Sequence, residues 1–177
     1  SINSERSLQF WFCHYLMLEW NEKKLSNFRL FIEPTFLTEE GTDPEGRPTG
    51  KRTLIPDVVI CNSQRIIGVF ELKYQPRSAP LFEKDYGTLD WFASGNAQTA
   101  AITLKNERYL GESIEQRAYQ LADDAVLCWA GVYKGEQALN TAPAGAGERF
   151  LSLHGITVDG RPPQVIPSVP DPKDGLC

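Results

Sequence analysis

The stretch Leu54-Ile-Pro-Asp57-Val-Val-Ile-Cys61, the turn Asn62-Ser-Gln64, and then Arg65-Ile-Ile-Gly-Val-Phe-Glu71-Leu-Lys73-Tyr74 decide how this chain is read. Two apolar, β-branched runs joined by a short polar turn predict an antiparallel hairpin. Apart from Arg65 at the turn, they carry Asp57, Glu71 and Lys73 at positions where an ordinary buried strand carries no charge. Burying an ion is costly unless it is paired or binds a metal, so these three residues call for a partner.

The turn fixes which residues meet. Centred between Asn62 and Arg65, it pairs residues whose numbers sum to about 126 to 128, which sets Asp57 opposite Glu71 or one step from it. Cross-strand Cβ atoms on one face lie roughly 4.5 to 5.5 Å apart. Side chains alternate along a strand, so Glu71 and Lys73 share a face and Leu72 takes the other. Two carboxylates this close repel, and one is pushed toward its protonated form. A hard cation such as Mg²⁺ or Mn²⁺ converts that repulsion into binding, lowers the pKa of a bound water and stabilises charge on a phosphate oxygen during in-line attack. Lys73 is a point charge whose pKa can fall on partial burial, suited to orienting the attacking water or neutralising charge at phosphorus.

Working outward, 177 residues at 41% apolar and 11% aromatic composition predict a globular chain rather than a disordered one. We expect one domain over residues 1–160 and a Pro-rich tail or extended arm over 161–177. No apolar h-region with a small-residue cleavage site is read in these residues, and the longest mostly apolar runs, 11–18 and 125–133, are too short for a membrane span. A soluble, cytoplasmic protein with no membrane partner is expected. The formal charge of −5 argues against an avid polyanion binder, but the distribution softens this. From Arg47 to Arg77 the basic residues Arg47, Lys51, Arg52, Arg65, Lys73 and Arg77 face only Asp57 and Glu71, a local +4 that leaves −9 for the rest. That grouping suits a phosphodiester, with Lys51, Arg52, Arg77 and Lys84 as candidate nucleic-acid contacts, and it equally suits solvated charges at strand ends. Cysteines 13, 61, 128 and 177 lack CxxC spacing, and three lie in apolar segments as small hydrophobes, which argues against an iron–sulfur cluster. His14 and His154 stand alone on apolar elements and read as structural.

Helical spacing of Leu8, Trp11, Phe12, Tyr15 and Leu16 predicts a helix over Ser4 to Trp20. Phe10, Met17 and Leu18 make it apolar nearly all round, so it is expected to be buried. A strand is expected over Arg29–Phe36, a Gly, Pro and charge-rich loop over Leu37–Arg52, then the hairpin. After the break at Pro76–Pro80, a helix is expected from Leu81, interrupted near Ser94-Gly95-Asn96. A second is expected over Ser113–Asp123, followed by a strand over Ala125–Tyr133, a loop over Thr141–Gly147 and a strand over Phe150–Ile156.

Pro56-Asp57, thirteen residues, then Glu71-Leu72-Lys73 resembles the signature of the PD-(D/E)xK nuclease superfamily. The resemblance covers about residues 3–135 and implies an α/β, restriction-endonuclease-like core, a central mixed β-sheet flanked by helices in α-β-β-β-α-β order. By resemblance Asp57, Glu71 and Lys73 are catalytic, Asp57, Glu71 and the Leu72 carbonyl hold Mg²⁺ or Mn²⁺, and the substrate is nucleic acid, DNA ahead of RNA. Members similar to Holliday-junction resolvases and RecB-type nucleases add a metal-linked glutamate from the first helix, and by resemblance Glu5 occupies that place as a further metal ligand. Glu5 also reads as a first-turn acid that favours the helix dipole. Phe82-Glu83-Lys84-Asp85 with Leu89 is similar to the helix that often follows this signature, with a structural role, and Gln116 with Tyr119 faintly resembles the glutamine and tyrosine pair of RecB-like members. Glu22-Lys23-Lys24 and Pro170-Asp171-Pro172-Lys173 fit parts of the pattern too, but on no predicted strand end. Nucleases of this kind often pair two copies, so a homodimer or a partner protein is in view. The rival readings are a non-catalytic binding module of the same fold and an enzyme acting on a small phosphorylated substrate.

Overall fold

Ser4 caps the first helix, α1 (Glu5–Glu22), its side chain accepting the Ser7 N–H at 3.1 Å. A computed structural model describes residues 4–42, 48–94, 102–105, 117–135, 146–157 and 164–168. The far end of α1 closes with Leu25 N–H donating to the Trp20 carbonyl at 2.9 Å and Lys24 N–H to that of Asn21 at 3.1 Å, while Lys24 sits at φ 56°. This is the Schellman arrangement, built here on a lysine where glycine is the unstrained choice.

Strands β1 (Arg29–Ile32), β2 (Thr35–Thr42), β3 (Pro48–Leu54), β4 (Val58–Cys61) and β5 (Arg65–Gln75) follow, then α2 (Glu83–Ala93), β6 (Ile102–Lys105), β7 (Arg117–Lys134), a 3-10 turn over Gly147–Arg149, β8 (Phe150–Thr157) and β9 (Gln164–Ser168). A central mixed sheet runs β1-β4-β5-β7-β8: β1, β4 and β5 are antiparallel neighbours, whereas β5, β7 and β8 lie parallel. The first half of β7 turns to a second group, pairing β6, which pairs β2, which pairs β3.

The helices cover opposite faces. Along β4 and β5, Val58 and Leu72 pack with Cys13 of α1, while Val59 and Val69 pack with Leu89 and Phe92 of α2. Each buried aliphatic side chain contributes about 1.5 to 3 kcal/mol relative to exposure, so this two-sided burial is what makes these strands near-continuously apolar. The chemistry-bearing residues sit where that pattern is broken.

Several sequence expectations change. The strand over Arg29–Phe36 breaks at Glu33, which adopts φ 47°, so Thr35 and Phe36 begin a different strand. Much of the expected loop 37–52 is the antiparallel pair β2 and β3, with Glu39 and Lys51 as register partners. The helix expected over Ser113–Asp123 is, from Arg117 on, the opening of β7, and residues 113–116 lie outside the described residues. The α-β-β-β-α-β order survives as α1-β1-β4-β5-α2-β7, with β2, β3 and β6 inserted. Within 161–177, residues 164–168 form β9, which pairs antiparallel with β8 as an extended arm. The helix α1 is not buried all round: Phe10, Met17 and Leu18 are 60%, 53% and 49% exposed. Cys13, Cys61 and Cys128 are free and buried, and burial pushes their thiols up to about 11, 12 and 12. His14 is exposed, whereas His154 is wholly buried with Nδ1 2.9 Å from the Tyr133 hydroxyl. Among the described residues no helix is long and apolar enough to cross a membrane.

Candidate functional site

Glu71-Leu72-Lys73 lies where β5 has outrun β4. The ladder pairs Val58 with Phe70, Val59 with Val69 and Ile60 with Gly68, so Asp57 stands one step beyond the strand, at the level of Glu71. There a side chain replaces the ladder: Asp57 Oδ2 accepts the Leu72 N–H at 2.6 Å. The Asp57 carbonyl is fixed from two directions, by Gln9 Nε2 of α1 at 3.0 Å and by the Glu33 N–H at 2.9 Å. These bonds hold the backbone of Asp57 while its carboxylate is aimed at β5.

Leu72 is buried toward α1, and Glu71 and Lys73 emerge on the α2 face with Val69. The carboxyls of Asp57 and Glu71 are hydrogen-bonded to each other, and Thr88 of α2 bonds to Glu71. Burial, above all, raises the Glu71 carboxyl to about 9, with the charges of Asp57 and Asp85 adding to it. Burial likewise lifts Asp57 to about 6, against the lowering effect of the Leu72 N–H. At neutral pH the pair therefore shares one proton.

Lys73 Nζ lies 3.4 Å from Asp85 Oδ2 and 3.7 Å from Glu5 Oε2, with its side chain 17% exposed. Glu5 reaches the site from the start of α1, also accepting the Tyr74 N–H at 3.3 Å, and stays 46% exposed. Asp85 is held in turn by Trp129 Nε1 at 3.3 Å, and burial raises its pKa against the lowering effects of Lys73 and Trp129. The sequence led us to expect a Lys73 pKa able to fall. Burial does work to lower it, but Asp85 and Glu5 outweigh burial and the net shift is upward. Lys73 is therefore a firmly held ammonium.

Asp57, Glu71, Lys73, the Leu72 backbone and Glu5 thus meet at one end of β5. No family model, curated protein or solved structure matches the chain.

Among the described residues no three of His, Cys, Asp and Glu form a ready-made cation cage. The candidate donors are instead a pair of carboxyls and a backbone oxygen. Asp57 and Glu71 are close enough to share a hydrogen bond, and a divalent cation would take the place of the shared proton. A strand residue points its N–H and C=O to the same side, so the Leu72 carbonyl is directed toward Asp57 along with the N–H that Asp57 accepts. Hard oxygen donors of this kind suit Mg²⁺ or Mn²⁺.

Other expected contacts fall elsewhere. Arg77, in the turn after β5, and Lys84, in the first turn of α2, are exposed at the same end of the sheet as Lys73. Lys51 and Arg52 belong to β3, with side chains outside the described residues, and Gln116 lies outside them altogether. Tyr119 is buried near the start of β7, beside Phe31 at 6.1 Å between ring centroids, next to Gln120, which pairs with Arg65 at the opposite end of β5. It is a core residue and not part of the acid site.

Asp85, expected only as part of a structural helix, turns out to pair with Lys73 in the site. It shares a helical stripe with Thr88, Leu89 and Phe92, all buried, and an acid on such a stripe is a signal in its own right. Gln9, on the buried side of α1 with Cys13, carries the same signal.

Proposed function

We propose that the chain is a metal-dependent phosphodiester hydrolase, a nuclease acting on DNA ahead of RNA, built on a restriction-endonuclease-like core. The observation that carries this is the convergence of Asp57, Glu71 and Lys73 on one face at the end of β5, in the register the hairpin dictates. The order α1-β1-β4-β5-α2-β7 supports the same reading.

Asp57, Glu71 and the Leu72 carbonyl would hold Mg²⁺ or Mn²⁺, and the bound ion would supply a water of lowered pKa and stabilise charge on a phosphate oxygen. Water oxygen attacks phosphorus in line, a P–O ester bond breaks, and the departing oxygen collects a proton from solvent. Lys73, kept charged by Asp85 and Glu5, offers its ammonium to the negative charge that grows on the phosphoryl oxygens. Asp85 acts on the substrate through Lys73, and Glu5 would either act through the same ammonium or add a further oxygen to the cation. Asp57 and Glu71 would have to give up their shared proton to hold a cation, which would couple loading to pH.

Incubating the protein and Lys73→Ala with linear, nicked, branched and single-stranded DNA and with RNA, in Mg²⁺ or Mn²⁺, tests the activity. Cleavage by the parent and at least a hundredfold less by the variant is expected. Cleavage that survives Lys73→Ala defeats the assignment.

One observation favours the second reading, a binding module of the same fold. Lys73 is ion-paired on two sides and Glu71 is only 5% exposed, as in a structural charge cluster. Calorimetric titration with Mn²⁺ separates the two: saturable heat lost in Asp57→Ala supports the hydrolase, and identical heats from both proteins support the binding module.

A further inference from the structure

His154 is a buried imidazole that the proposed reaction does not use. It lies wholly buried on β8 with Nδ1 2.9 Å from the Tyr133 hydroxyl, and its Nε2 has no hydrogen-bond partner among the described residues. What the imidazole has that a hydrocarbon lacks in this place is the Tyr133 bond, which fixes the tilt of its ring.

The sheet sets His154 level with Lys73. Lys73 pairs with Gly131 and Gly131 with His154, so the two stand on one face, on either side of a residue that has no side chain. At roughly 4.8 Å between neighbouring strands, their backbones are about 10 Å apart. The Trp129 ring fills the gap: its Cη2, Cζ2 and Cζ3 lie 2.3, 2.8 and 2.9 Å from where a Gly131 Cβ would stand. On the β5 side the indole Nε1 donates to Asp85, which meets Lys73 there. On the β8 side stands His154, its ring centroid 5.4 Å from that of Trp129. Tyr86 of α2 stacks on the indole at 6.0 Å and 24°. With the sheet beneath it and Tyr86 against it, the indole can withdraw from Asp85 only toward β8. That way is closed by the imidazole that Tyr133 holds.

We infer that His154, oriented by Tyr133, is a positioning residue for Lys73: it keeps the Trp129 indole on Asp85, and Asp85 keeps the ammonium in place. The part played in hydrolysis rests on Lys73 being the catalytic ammonium, whereas the hold on the indole does not. Lys73 answers charge that grows in the transition state, so loss of its positioning lowers kcat and spares KM.

The Trp129 indole N–H resonance in heteronuclear NMR of the full chain, assigned with Trp129→Phe, reads the hold directly. In His154→Ala this resonance moves upfield and its hydrogen exchange quickens about tenfold or more. DNA cleavage by the same variant loses about tenfold or more in kcat, with KM within about twofold of the parent. Tyr133→Phe and His154→Phe keep both rings and lose only the bond between them, so each shows the same changes at about threefold. Leu121→Ala, a core truncation at the far end of the β5–β7 seam, lowers stability and leaves the indole resonance and kcat where they are. Should His154→Ala fail to fold, Tyr133→Phe decides. An indole resonance unmoved in the folded variants, a loss as large in His154→Phe as in His154→Ala, or an equal change in Leu121→Ala overturns the inference. A parent that cleaves no substrate removes the nuclease reading, and the indole resonance then decides the positioning by itself.

Discussion

Lys73 of β5 and Asp85 of α2 form an ion pair, 3.4 Å from Nζ to Oδ2, that joins the sheet to the helix across the candidate site. Asp85 also accepts from Trp129 Nε1, so one carboxylate orients both an ammonium and an indole. Asp85→Asn retains an oxygen for Trp129 but removes the charge facing Lys73. We expect a stability loss of about 1 to 3 kcal/mol in urea unfolding. We also expect the alkaline limb of the kcat/KM profile to move to lower pH, because the pairing that raises the Lys73 pKa is gone. An unmoved alkaline limb means that Lys73 does not act as a charge.

The acid pair sets how stability follows pH. Glu71 holds its proton to about 9 in the folded protein against 4.5 in the ordinary state, and Asp57 to about 6 against 3.8. Raised acids favour the folded state while protonated, so their contribution is complete below the unfolded values and is lost as pH climbs through about 6 and then about 9. In EDTA the melting temperature should fall over that interval, and Mn²⁺ should offset the fall increasingly as pH rises. Differential scanning fluorimetry across pH with and without Mn²⁺ measures both slopes. Parallel slopes would remove the cation from the site.

Gly131 gives the Trp129 ring its place. A Cβ there would meet ring carbons of Trp129 at 2.3, 2.8 and 2.9 Å. Gly131→Ala is expected to displace the indole from Asp85 and cost about 1 to 3 kcal/mol in chemical denaturation. At Gly155 the nearest atom, Val132 Cγ2, is 3.1 Å away, so Gly155→Ala should cost less. Equal losses would mean that the ring finds room elsewhere.

Lys24 closes α1 in the left-handed region at φ 56°. Lys24→Gly relieves the Cβ strain at the expense of some chain entropy, with an expected gain of up to about 1 kcal/mol in thermal or urea unfolding. A lowered melting temperature would contradict that account.

The hairpin was legible because its period, its turn and its charges agree: Asn62 Oδ1 accepts the N–H groups of Gln64 and Arg65 at 2.9 and 2.7 Å, and the strand numbers sum as a tight turn requires. The helix start at Ser4 was legible for the same kind of reason. The opening of β7 was not. Arg117, Ala118, Gln120, Leu121 and Ala122 are helix-tolerant residues, and the pairing with β5 jumps from Ile66–Leu121 to Gly68–Val126, an irregularity that destroys the two-residue alternation. The β2–β3 pair was hidden because its residues carry charge and glycine where strand patterns look for apolar alternation, and its pairing is visible only across the chain. The place of Asp85 in the site was hidden because its pairing with Lys73 and Trp129 depends on how α2 packs on the sheet.

The parallel seam between β5 and β7 has a consequence for how the protein is made. Glu71 lies beside Trp129, and the stabilising neighbour of β5 comes from residues 126–133, long after β5 itself has been synthesised. Until that later segment leaves the ribosome, β5 keeps a bare apolar edge on the side where β7 will pair, the kind of surface that invites aggregation or chaperone capture. Completion of the sheet, and the Trp129 bond that holds Asp85, is thus a late event in biosynthesis, and a nascent chain halted before residue 117 lacks both.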